Sequence, residues 1–385
     1  MEAWQAGGFG LYIHWPFCQA KCPYCDFNSH VAASIDQSRW AEAFLWNLDR
    51  LADETDGRIL ETVYFGGGTP SLMLPSTVDA ILTKVRSRWR MVNDVEITLE
   101  ANPSSVEVAR FLGYRDAGVN RVSLGVQALN ETDLKALGRL HSVFEARKAI
   151  EVAQSVFDRV SFDLIYARQN QSEEAWEAEL RQALAIGTDH LSLYQLTVEE
   201  GTAFASRLAV GGLKGLPDED LSVAMFEITQ ELTSAAGLPA YEVSNHARPG
   251  QESRHNLIYW NGGDYLGCGP GAHGRLSKDR FCLATAEMSQ PGAWLSAVSR
   301  ETPPEQPREK LSKTDRAEEM LMMGLRLTSG VDLSKIERLR GDAIHREKIQ
   351  YFQDDRLLEL AGNQLRTTAS GRLVLNAILR DLLIS

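Results

Sequence analysis

Three of the five cysteines in this 385-residue chain lie within the stretch "FCQAKCPYCDF". Cys18, Cys22 and Cys25 have the spacing C-x3-C-x2-C, which can bring three thiolates around one metal centre. A structural zinc ion normally takes four ligands, and neither a fourth cysteine nor a histidine at a familiar zinc spacing follows nearby. A [4Fe-4S] cluster held by three thiolates leaves one iron open for another ligand. We therefore predict an iron-sulfur cluster here, with a zinc scaffold as the disfavoured alternative.

Six short runs rich in β-branched and aromatic residues must position this stretch, and segments with helical periodicity lie between them. Such an alternation predicts a mainly parallel sheet, because parallel neighbours need helical crossovers. Two of the predicted helices cover residues 38–54 and 76–89, and Ser76 and Asp79 of the second resemble a capping box. The predicted strands cover residues 10–15, 61–66, 95–101, 121–127, 160–166 and 190–196.

The unusual residues of the chain follow the ends of these strands. The cysteines follow the first strand, and the segment "GGGTP" (66–70) ends the second. The next four strands carry, at or near their ends, Glu100, Gln127, Asp163 and Gln195. The carboxyl ends of parallel strands meet at one edge of a sheet, where barrels and open sheets alike place their active sites. We expect these side chains to gather in one functional site.

The strict alternation of strands and helices fades beyond about residue 200. The Pro-rich, charged segment "ETPPEQPREK" (301–310) predicts a linker. A small helical domain follows, with a hairpin predicted over 357–368 and a closing helix over 371–383. The predicted division of the chain is a sheet-forming part, a junction that contains "HNLIYW", and a C-terminal helical domain: residues 1–240, 241–300 and 311–385.

Charge and hydropathy exclude some classes of function. The formal net charge is -12 and the pI is about 5.3, which argues against a nucleic-acid partner, as does the lack of a basic recognition helix near the predicted hairpin. The N-terminal residues lack a signal-peptide pattern, and no window approaches about 18 uncharged apolar residues. We predict a cytoplasmic protein without a transmembrane segment. Cys268 and Cys282 stand alone and are interpreted as buried small hydrophobes.

Several motifs in this order resemble the radical S-adenosylmethionine superfamily: the cysteine spacing after the first strand, Tyr24 before the last cysteine, and "GGGTP" after the second strand. Stretches along nearly the whole chain, among them "LYIHWPFC", "YFGGGTPS", "LGRLH" and "LGCGPGAHG", resemble the family that contains oxygen-independent coproporphyrinogen III oxidases and their HemW-type relatives. The resemblance implies an α/β fold, a partial (β/α)6 TIM-like barrel of the radical SAM type with a small C-terminal helical, winged-helix-like domain. It also implies that the open iron chelates the amino and carboxylate groups of S-adenosylmethionine.

Individual residues match positions near S-adenosylmethionine in the oxidases. The resemblance places near a first S-adenosylmethionine Tyr12, Gly67, Glu100 and His273. It places near a second Tyr24, Gly68, Thr69, Gln127, Arg139 and Asp163, with Thr197 as a looser match. Chemically, the glycines let backbone groups approach a ligand closely, and Glu100 can accept hydrogen bonds from its hydroxyl or amino groups. Arg139 can pair with its carboxylate.

Two features separate the branches of this family. The oxidases extend the cysteine motif to a fourth cysteine, and the HemW-type branch, like this chain, has phenylalanine there (Phe27). The stretch "HNLIYW" reproduces an HNxxYW motif that has been linked to haem binding, and it contains His255, Asn256, Tyr259 and Trp260. The imidazole suits haem iron and the two aromatic rings suit a porphyrin. The alternative is structural: a His-Asn pair that caps a turn, with both rings buried at the domain junction.

The resemblance therefore implies a haem chaperone with a [4Fe-4S] cluster, S-adenosylmethionine and haem, which passes haem to haem-dependent proteins, membrane-associated ones among the candidates. The alternative function is radical decarboxylation of coproporphyrinogen III to protoporphyrinogen IX. One departure from the family follows the fifth strand, where "ARQNQ" (167–171) replaces a loop with Gly and Pro. Their loss should change the turn beside Asp163, and we expect weakened S-adenosylmethionine contacts there.

Overall fold

The computed structural model describes residues 3–103, 108–278, 281–341, 344 and 346–383. One large sheet and two small sheets contain the strands of this part of the chain. The strands are β1 Phe9–Trp15, β2 Phe17–Cys18, β3 His30–Val31, β4 Ile59–Gly67, β5 Arg90–Ala101, β6 Arg121–Gln127, β7 Arg159–Tyr166, β8 His190–Gln195, β9 Asn245–Ala247, β10 Asp264–Cys268, β11 His273–Lys278, β12 Phe281–Ala286, β13 Glu309–Leu311, β14 Val331–Asp332, β15 Leu358–Ala361 and β16 Gln364–Thr367.

Helices connect most of these strands, and a 3-10 turn, Pro70–Leu72, follows β4. The helices are α1 Ala3–Gly7, α2 Gln37–Asp53, α3 Pro75–Arg88, α4 Val108–Ala117, α5 Glu131–Ala136, α6 Val143–Val156, α7 Glu173–Leu184, α8 Ala203–Ala209, α9 Glu219–Ala235, α10 Arg254–Trp260, α11 Pro291–Ser299, α12 Lys313–Gly324, α13 Leu333–Arg340, α14 Arg346–Asp354, α15 Ala369–Leu373 and α16 Leu375–Leu383. None of the helices in the described ranges is long and apolar enough to span a bilayer.

The large sheet has 11 strands in the order β13-β12-β11-β10-β1-β4-β5-β6-β7-β8-β9. Neighbours from β10 to β8 are parallel, while β9 at one end and β11 to β13 at the other are antiparallel. The six predicted strands are the consecutive parallel strands β1 and β4 to β8, and helical crossovers join most of them. The predicted partial (β/α)6 barrel is confirmed, and β10 adds a parallel strand from the junction segment.

Alternation along β1 separates a helix-facing side from an interior side of the sheet. Leu11, Ile13 and Trp15 are fully buried, and the ring of Trp15 packs 6.1 Å from that of Phe44 on α2. Tyr12 lies between them and faces the other way, so that its ring contacts interior side chains of the sheet. The apolar side therefore holds the strand against its helices, while the interior side is free to carry chemistry.

A second apolar core lies in the C-terminal residues. Helices α12, α13, α14 and α16 and the small sheet β14-β16-β15 supply its buried side chains, among them Leu321, Leu333 and Ile378. The predicted hairpin over 357–368 is confirmed as β15 and β16. The predicted closing helix over 371–383 is broken: α15 ends at Leu373, and a new helix begins at Leu375.

The predicted linker 301–310 is held by ion pairs. Arg308 donates to both carboxylate oxygens of Glu54, the residue that follows α2, at 2.5 and 2.7 Å, and also contacts Glu305. Glu305 in turn pairs with Arg50 at 3.1 Å, and β13 begins at Glu309. The charges that suggested a solvated linker instead attach the segment to the edge of the large sheet.

The predicted capping box at Ser76 is wrong, because the helix begins one residue earlier. Pro75 occupies the first turn of α3, and the N-cap is Leu74, which has no side-chain acceptor. Gln37 replaces that acceptor: its Oε1 accepts from the Leu74 backbone at 3.2 Å and from the Thr77 hydroxyl at 3.1 Å. A residue of α2 therefore caps the start of α3. Gln37 lies too far from Leu74 in the sequence for a local motif to predict this contact.

Candidate functional site

A cavity of about 360 Å³ opens at the carboxyl edge of the parallel strands. It collects most of the predicted site residues, as expected for strand ends that meet at one edge. The predicted residues that line it are Cys18, Cys22, Tyr24, Cys25, Gly67, Gly68, Thr69, Glu100, Gln127, Arg139, Asp163 and Thr197. The predicted residues that do not line it are Tyr12, His255, Asn256, Tyr259, Trp260 and His273.

The three clustered cysteines lie on one wall of this cavity, on β2 and the loop that follows it. The Thr69 hydroxyl donates to Cys18 Sγ at 3.4 Å, and Arg139 Nη1 donates to Cys22 Sγ at 3.3 Å. Burial raises the pKa of the Cys18 and Cys25 thiols. All five cysteines of the chain are free thiols, and Cys268 and Cys282 are buried as predicted.

The donor set suits an iron-sulfur cluster better than a single ion. Among the residues that the structure describes, no group of three or more His, Cys, Asp or Glu side chains is arranged to hold one metal ion. A four-iron cluster is larger than an ion, so its three thiolates stand further apart. Three soft sulfur donors around one open cavity, without a fourth ligand beside them, therefore fit a cluster with one accessible iron.

The three glycines at the end of β4 are required by packing against protein groups. A Cβ on Gly66 would lie 2.8 Å from the Tyr12 ring, and one on Gly67, where φ is +106°, would lie 2.5 Å from the His14 ring. A Cβ on Gly68 would lie 2.7 Å from the Phe17 carbonyl oxygen, a backbone atom that cannot rotate away. Backbone bonds from Gly68 to Trp15 and from Thr69 to Phe17 hold this loop against the cysteine-bearing segment. Gly67 and Gly68 also line the cavity, and the approach of a ligand to their backbone groups stays a prediction.

Glu100 and Asp163 are two acidic groups that face the cavity from its floor. Burial raises the pKa of Glu100 to about 7, an effect opposed by the Tyr64 hydroxyl, which donates to Oε1 at 2.8 Å, and reinforced by the charge of Asp163. Burial likewise raises the pKa of Asp163 to about 6, against hydrogen bonds from Ser192 and Ser123. Both carboxyl groups are therefore poised to change protonation near neutral pH, and a cationic or hydroxyl-bearing ligand would favour their charged forms.

Arg139 supplies a cation beside Cys22. Its Nη2 donates to the Gly125 carbonyl at 2.7 Å, its Nη1 to Cys22 Sγ, and its buried Nε has no partner among the described residues. Nearby, Gln127 has a φ of +74°, and the pairing of β6 with β7 shifts register between Leu124 and Gln127. Strained backbone and bulges of this kind concentrate at functional sites, and they turn the end of β6 toward the cavity.

Tyr12 lies outside the cavity lining and contacts His14. The His14 Nε2 lies 2.9 Å from the Asn28 carbonyl, which can only accept, so Nε2 carries the proton and Nδ1 accepts from the Tyr12 hydroxyl at 3.1 Å. Burial lowers the pKa of His14, in keeping with this neutral tautomer. His273 begins β11 and is exposed outside the cavity lining. Direct contacts of Tyr12 and His273 with S-adenosylmethionine thus stay predictions.

The HNxxYW motif forms helix α10, which packs against β1, β4 and β10. His255 is buried, and both ring nitrogens are engaged: Nδ1 is 2.7 Å from the Thr62 hydroxyl and Nε2 is 2.6 Å from the Tyr259 hydroxyl. Asn256 and Trp260 are partly buried on the same helix. In this conformation both nitrogens of His255 are engaged, and the helix is capped by the Ser253 hydroxyl rather than by a His-Asn pair. Haem binding by the four motif residues stays a prediction.

The "ARQNQ" loop does not line the cavity, and its two backbone positions with positive φ, Ala167 and Asn170, are held by other contacts. Buried Arg168 forms ion pairs with Glu179 and Asp133 and donates to the Ile165 carbonyl at 2.6 Å. The loop is therefore anchored away from the cavity, toward α5 and α7. The loop contacts the cavity lining through Ile165, and the expected weakening of S-adenosylmethionine contacts beside Asp163 stays a prediction.

Sequence reasoning missed the residues that support the acidic groups. They occupy alternate positions of the parallel strands, on the interior side, and the period-2 alternation of polar residues was the signal that could have found them. They are Tyr64 on β4, Arg121 and Ser123 on β6, Ser161 on β7, and Ser192 and Tyr194 on β8.

Comparison with known proteins agrees with this architecture. A family model of the Radical SAM superfamily matches residues 12–183, and one of the HemN C-terminal domain matches residues 311–374. Among solved structures, "Coproporphyrinogen III oxidase (HemN) from Escherichia coli is a Radical SAM enzyme" superposes with a TM-score of 0.83 over 99% of this chain and 92% of that chain. Its sequence identity is 20%, so the likeness shows a shared fold.

Similar sequences extend over nearly the whole chain. The Heme chaperone HemW of Escherichia coli (strain K12) is 38% identical over 375 residues, which cover 96% of each protein. The Heme chaperone HemW of Mycobacterium tuberculosis (strain ATCC 25618 / H37Rv) is 37% identical, covering 97% of this chain and 95% of the relative. The mitochondrial Radical S-adenosyl methionine domain-containing protein 1 of Bos taurus is 36% identical, covering 97% and 87%. The chain belongs to the HemW family of the radical SAM superfamily.

Proposed function

We propose that the protein is a cytoplasmic haem chaperone, which carries a [4Fe-4S] cluster, binds S-adenosylmethionine and haem, and passes haem to haem-dependent proteins, membrane-associated acceptors among them. The observation that carries the proposal is the near-full-length similarity to proteins named Heme chaperone HemW. Two features of the site support it: three thiols share one cavity wall, and Phe27 stands where the oxidase branch has a fourth cysteine. Five free thiols suit a reducing compartment.

The cluster would be held by three thiolates from Cys18, Cys22 and Cys25. When bound, it supplies a redox-active centre with one iron open to an exogenous ligand. The Thr69 hydroxyl and the Arg139 guanidinium already donate to two of these sulfurs, and such donors stabilise thiolate charge. The cavity in front of the sulfurs has room for a small organic ligand, since its volume is about 360 Å³.

Groups for S-adenosylmethionine line that cavity. Glu100 can accept hydrogen bonds from ligand hydroxyl or amino groups, and its Oε1 already accepts from the Tyr64 hydroxyl. Arg139, with its unpartnered Nε, can pair with a ligand carboxylate. Asp163 and Gln127 complete the polar lining. These residues would orient the ligand.

Haem binding rests on the family relationship and on an exposed ring. Phe27 lines the cavity, and 62% of its side chain is exposed, an apolar surface of the kind that porphyrins pack against. The HNxxYW motif can supply an iron ligand only if His255 leaves one of its two hydroxyl partners. The proposal therefore requires haem binding, with or without ligation by His255.

The first experiment is anaerobic reconstitution with iron and sulfide, followed by quantification of both elements and by haem titration. We expect about four irons and four sulfides per chain and a Soret shift that saturates with haem. The matched control is the variant in which three cysteines become Ala: Cys18→Ala, Cys22→Ala and Cys25→Ala. One zinc and no iron per chain would favour the scaffold alternative, and a cluster-loaded protein without a Soret shift would refute the chaperone proposal.

Haem transfer and oxidase activity are distinguished in the same preparation. The haem-loaded protein mixed with an apo-haem protein should lose its Soret signature as the acceptor gains its own. With reductant, S-adenosylmethionine and coproporphyrinogen III, the chaperone proposal expects no protoporphyrinogen IX. Formation of protoporphyrinogen at the rate of a known oxidase, without haem transfer, would establish the alternative function instead.

A further inference from the structure

A group of stacked rings connects helix α10 with the floor of the cavity. The imidazole of His255 stacks on the Tyr64 ring, with centroids 4.9 Å apart and planes inclined by 19°. The Tyr12 ring stacks on both of them, at 6.2 Å from Tyr64 and 6.4 Å from His255. The three rings come from α10, β4 and β1, so a displacement of the helix is felt at two strands.

His255 is fixed at one end of this group. Its ring nitrogens contact the hydroxyls of Thr62 and Tyr259 at 2.7 and 2.6 Å, and its backbone N–H donates to Glu96 at 3.1 Å. Burial lowers the pKa of His255 to about 3, so the ring is neutral, with one nitrogen donating and one accepting. A ring with both nitrogens bonded and 1% of its residue surface exposed has a single available orientation.

The other end of the group reaches the two parts of the candidate site. The Tyr64 hydroxyl donates to Glu100, on the cavity floor. The Tyr12 hydroxyl donates to His14, which donates to the Asn28 carbonyl, three residues after Cys25. The buried imidazole of His255 is thus connected through Tyr64 to the Glu100 carboxylate, and through Tyr12 and His14 to the loop that carries Cys22 and Cys25.

The surrounding backbone leaves these rings little room to move. A Cβ on Gly10 would lie 2.8 Å from the Thr62 hydroxyl oxygen and 3.2 Å from His255 Nδ1. A Cβ on Gly66 would lie 2.8 Å from the Tyr12 ring and 3.0 Å from that of Tyr64. The rings therefore fill the space against backbone, and removing the imidazole opens a cavity beside Tyr64.

We infer that His255 is a positioning residue for the S-adenosylmethionine site, which fixes Tyr64 so that its hydroxyl holds the Glu100 carboxylate toward the ligand. This inference rests on the proposed S-adenosylmethionine site. His255 does not line the cavity, so its effect on the ligand passes through Tyr64. His255 then acts on the ligand indirectly, from the interior face of β4, where its ring contacts Thr62 and Tyr64.

The test measures S-adenosylmethionine affinity in the full-length, cluster-reconstituted protein. The electron paramagnetic resonance spectrum of the reduced cluster reports a ligand at its open iron and is titrated with S-adenosylmethionine. Tyr64→Phe keeps the ring and removes the bond to Glu100, and we expect affinity about tenfold weaker. His255→Ala should weaken affinity by about three- to tenfold, and the double variant no more than Tyr64→Phe alone, because both changes act through one hydroxyl.

Controls separate positioning from general damage. Leu257→Met alters the same helix outside the group of stacked rings and should leave affinity unchanged. His255→Gln keeps hydrogen-bonding groups for the two hydroxyls, so we expect partial recovery; it also replaces His255→Ala if that variant holds no cluster.

Several results would overturn the inference. Unchanged affinity in both His255 variants would do so, as would losses that add in the double variant. Loss of haem binding in His255→Ala with S-adenosylmethionine affinity intact would overturn it and identify a haem ligand instead. If the cluster spectrum of the wild-type protein does not respond to S-adenosylmethionine, both the proposed site and the inference are refuted. If the wild-type protein and the His255 variants respond with the same affinity, only the inference is refuted.

Discussion

The raised pKa of Glu100 predicts that S-adenosylmethionine binds more tightly as pH rises from 6 to 8. Burial brings this pKa to about 7 in the protein without ligand, and a carboxylate that accepts hydrogen bonds from the ligand must be ionised. With a pKa of about 7, about one tenth of the molecules are ionised at pH 6 and about nine tenths at pH 8. Apparent affinity scales with the competent fraction, so it should rise about tenfold across this range and level off above pH 8.

The assay is the cluster spectrum titrated with S-adenosylmethionine at five pH values, with Glu100→Gln as the matched control. An α-amino group titrates near pH 8, so part of the slope can come from the ligand itself. Glu100→Gln keeps the pH dependence that comes from the ligand amino group and loses the pH dependence that comes from the carboxylate. The difference between the two slopes of affinity against pH therefore measures the contribution of Glu100. Equal slopes in the two proteins, or affinity that falls as pH rises, would refute the reasoning.

The free energy of unfolding of the ligand-free protein should fall as pH rises, whereas the affinity for S-adenosylmethionine should rise. Because the folded-state pKa of Glu100 lies above its unfolded value, the folded protein binds this proton more tightly than the unfolded chain does. The resulting stabilisation is fully present below about pH 4.5 and is lost as pH rises through about 7. Glu100→Gln should therefore flatten the decline of the melting temperature between pH 5 and 8 in the cluster-free protein.

Three further substitutions test other parts of the structure. Gly68→Ala places a Cβ against the Phe17 carbonyl, and we expect about 2 kcal/mol lower stability in urea unfolding and a clear loss of bound iron. Arg168→Ala leaves the buried Glu179 carboxylate without its main cation, which should lower stability by about 3 kcal/mol while S-adenosylmethionine affinity stays unchanged. Phe27→Ser removes an exposed ring, so iron content and stability should persist while haem affinity falls about tenfold in Soret titrations.

Each of these predictions has a contrary result. Normal iron content in Gly68→Ala would show that the loop can shift away from the cysteine segment. Weakened S-adenosylmethionine binding in Arg168→Ala would show that the "ARQNQ" loop does reach the cavity. Wild-type haem affinity in Phe27→Ser would mean that haem binds away from the cavity rim.

Periodicity predicted the parallel strands well because each carries buried apolar residues on alternate positions and ends in turn-forming residues. Five of the six predicted strands agree with the structure within two residues at each end. The exception is β5, predicted over 95–101, which begins at Arg90. Its first five residues mix charged, polar and apolar side chains, and Arg90 and Met91 pair with Ile59 and Leu60 of β4. Such pairing is set by the neighbouring strand, which an isolated segment does not reveal.

The cavity residues were predictable for a topological reason: residues at the carboxyl ends of parallel strands must meet. The supporting residues were not found, because their importance depends on which strands are neighbours. Tyr64 matters because β4 lies beside β5 and thus brings its hydroxyl to Glu100. Arg308 matters because β13 lies beside β12 at the sheet edge, which brings it to Glu54. Charge and spacing along the sequence carry neither fact.

The burial of His255 bears on the two interpretations of the HNxxYW motif. An imidazole followed by two aromatic rings suits a haem pocket and a packed interior equally well, so residue types alone leave the choice open. The parallel pairing of β1 with β10 brings α10 against the sheet, because α10 leads directly into β10. That placement engages both nitrogens of His255 with hydroxyls and stacks the ring on Tyr64. A haem iron at His255 would have to replace one of these bonds, so any binding there must compete with the arrangement that holds Glu100.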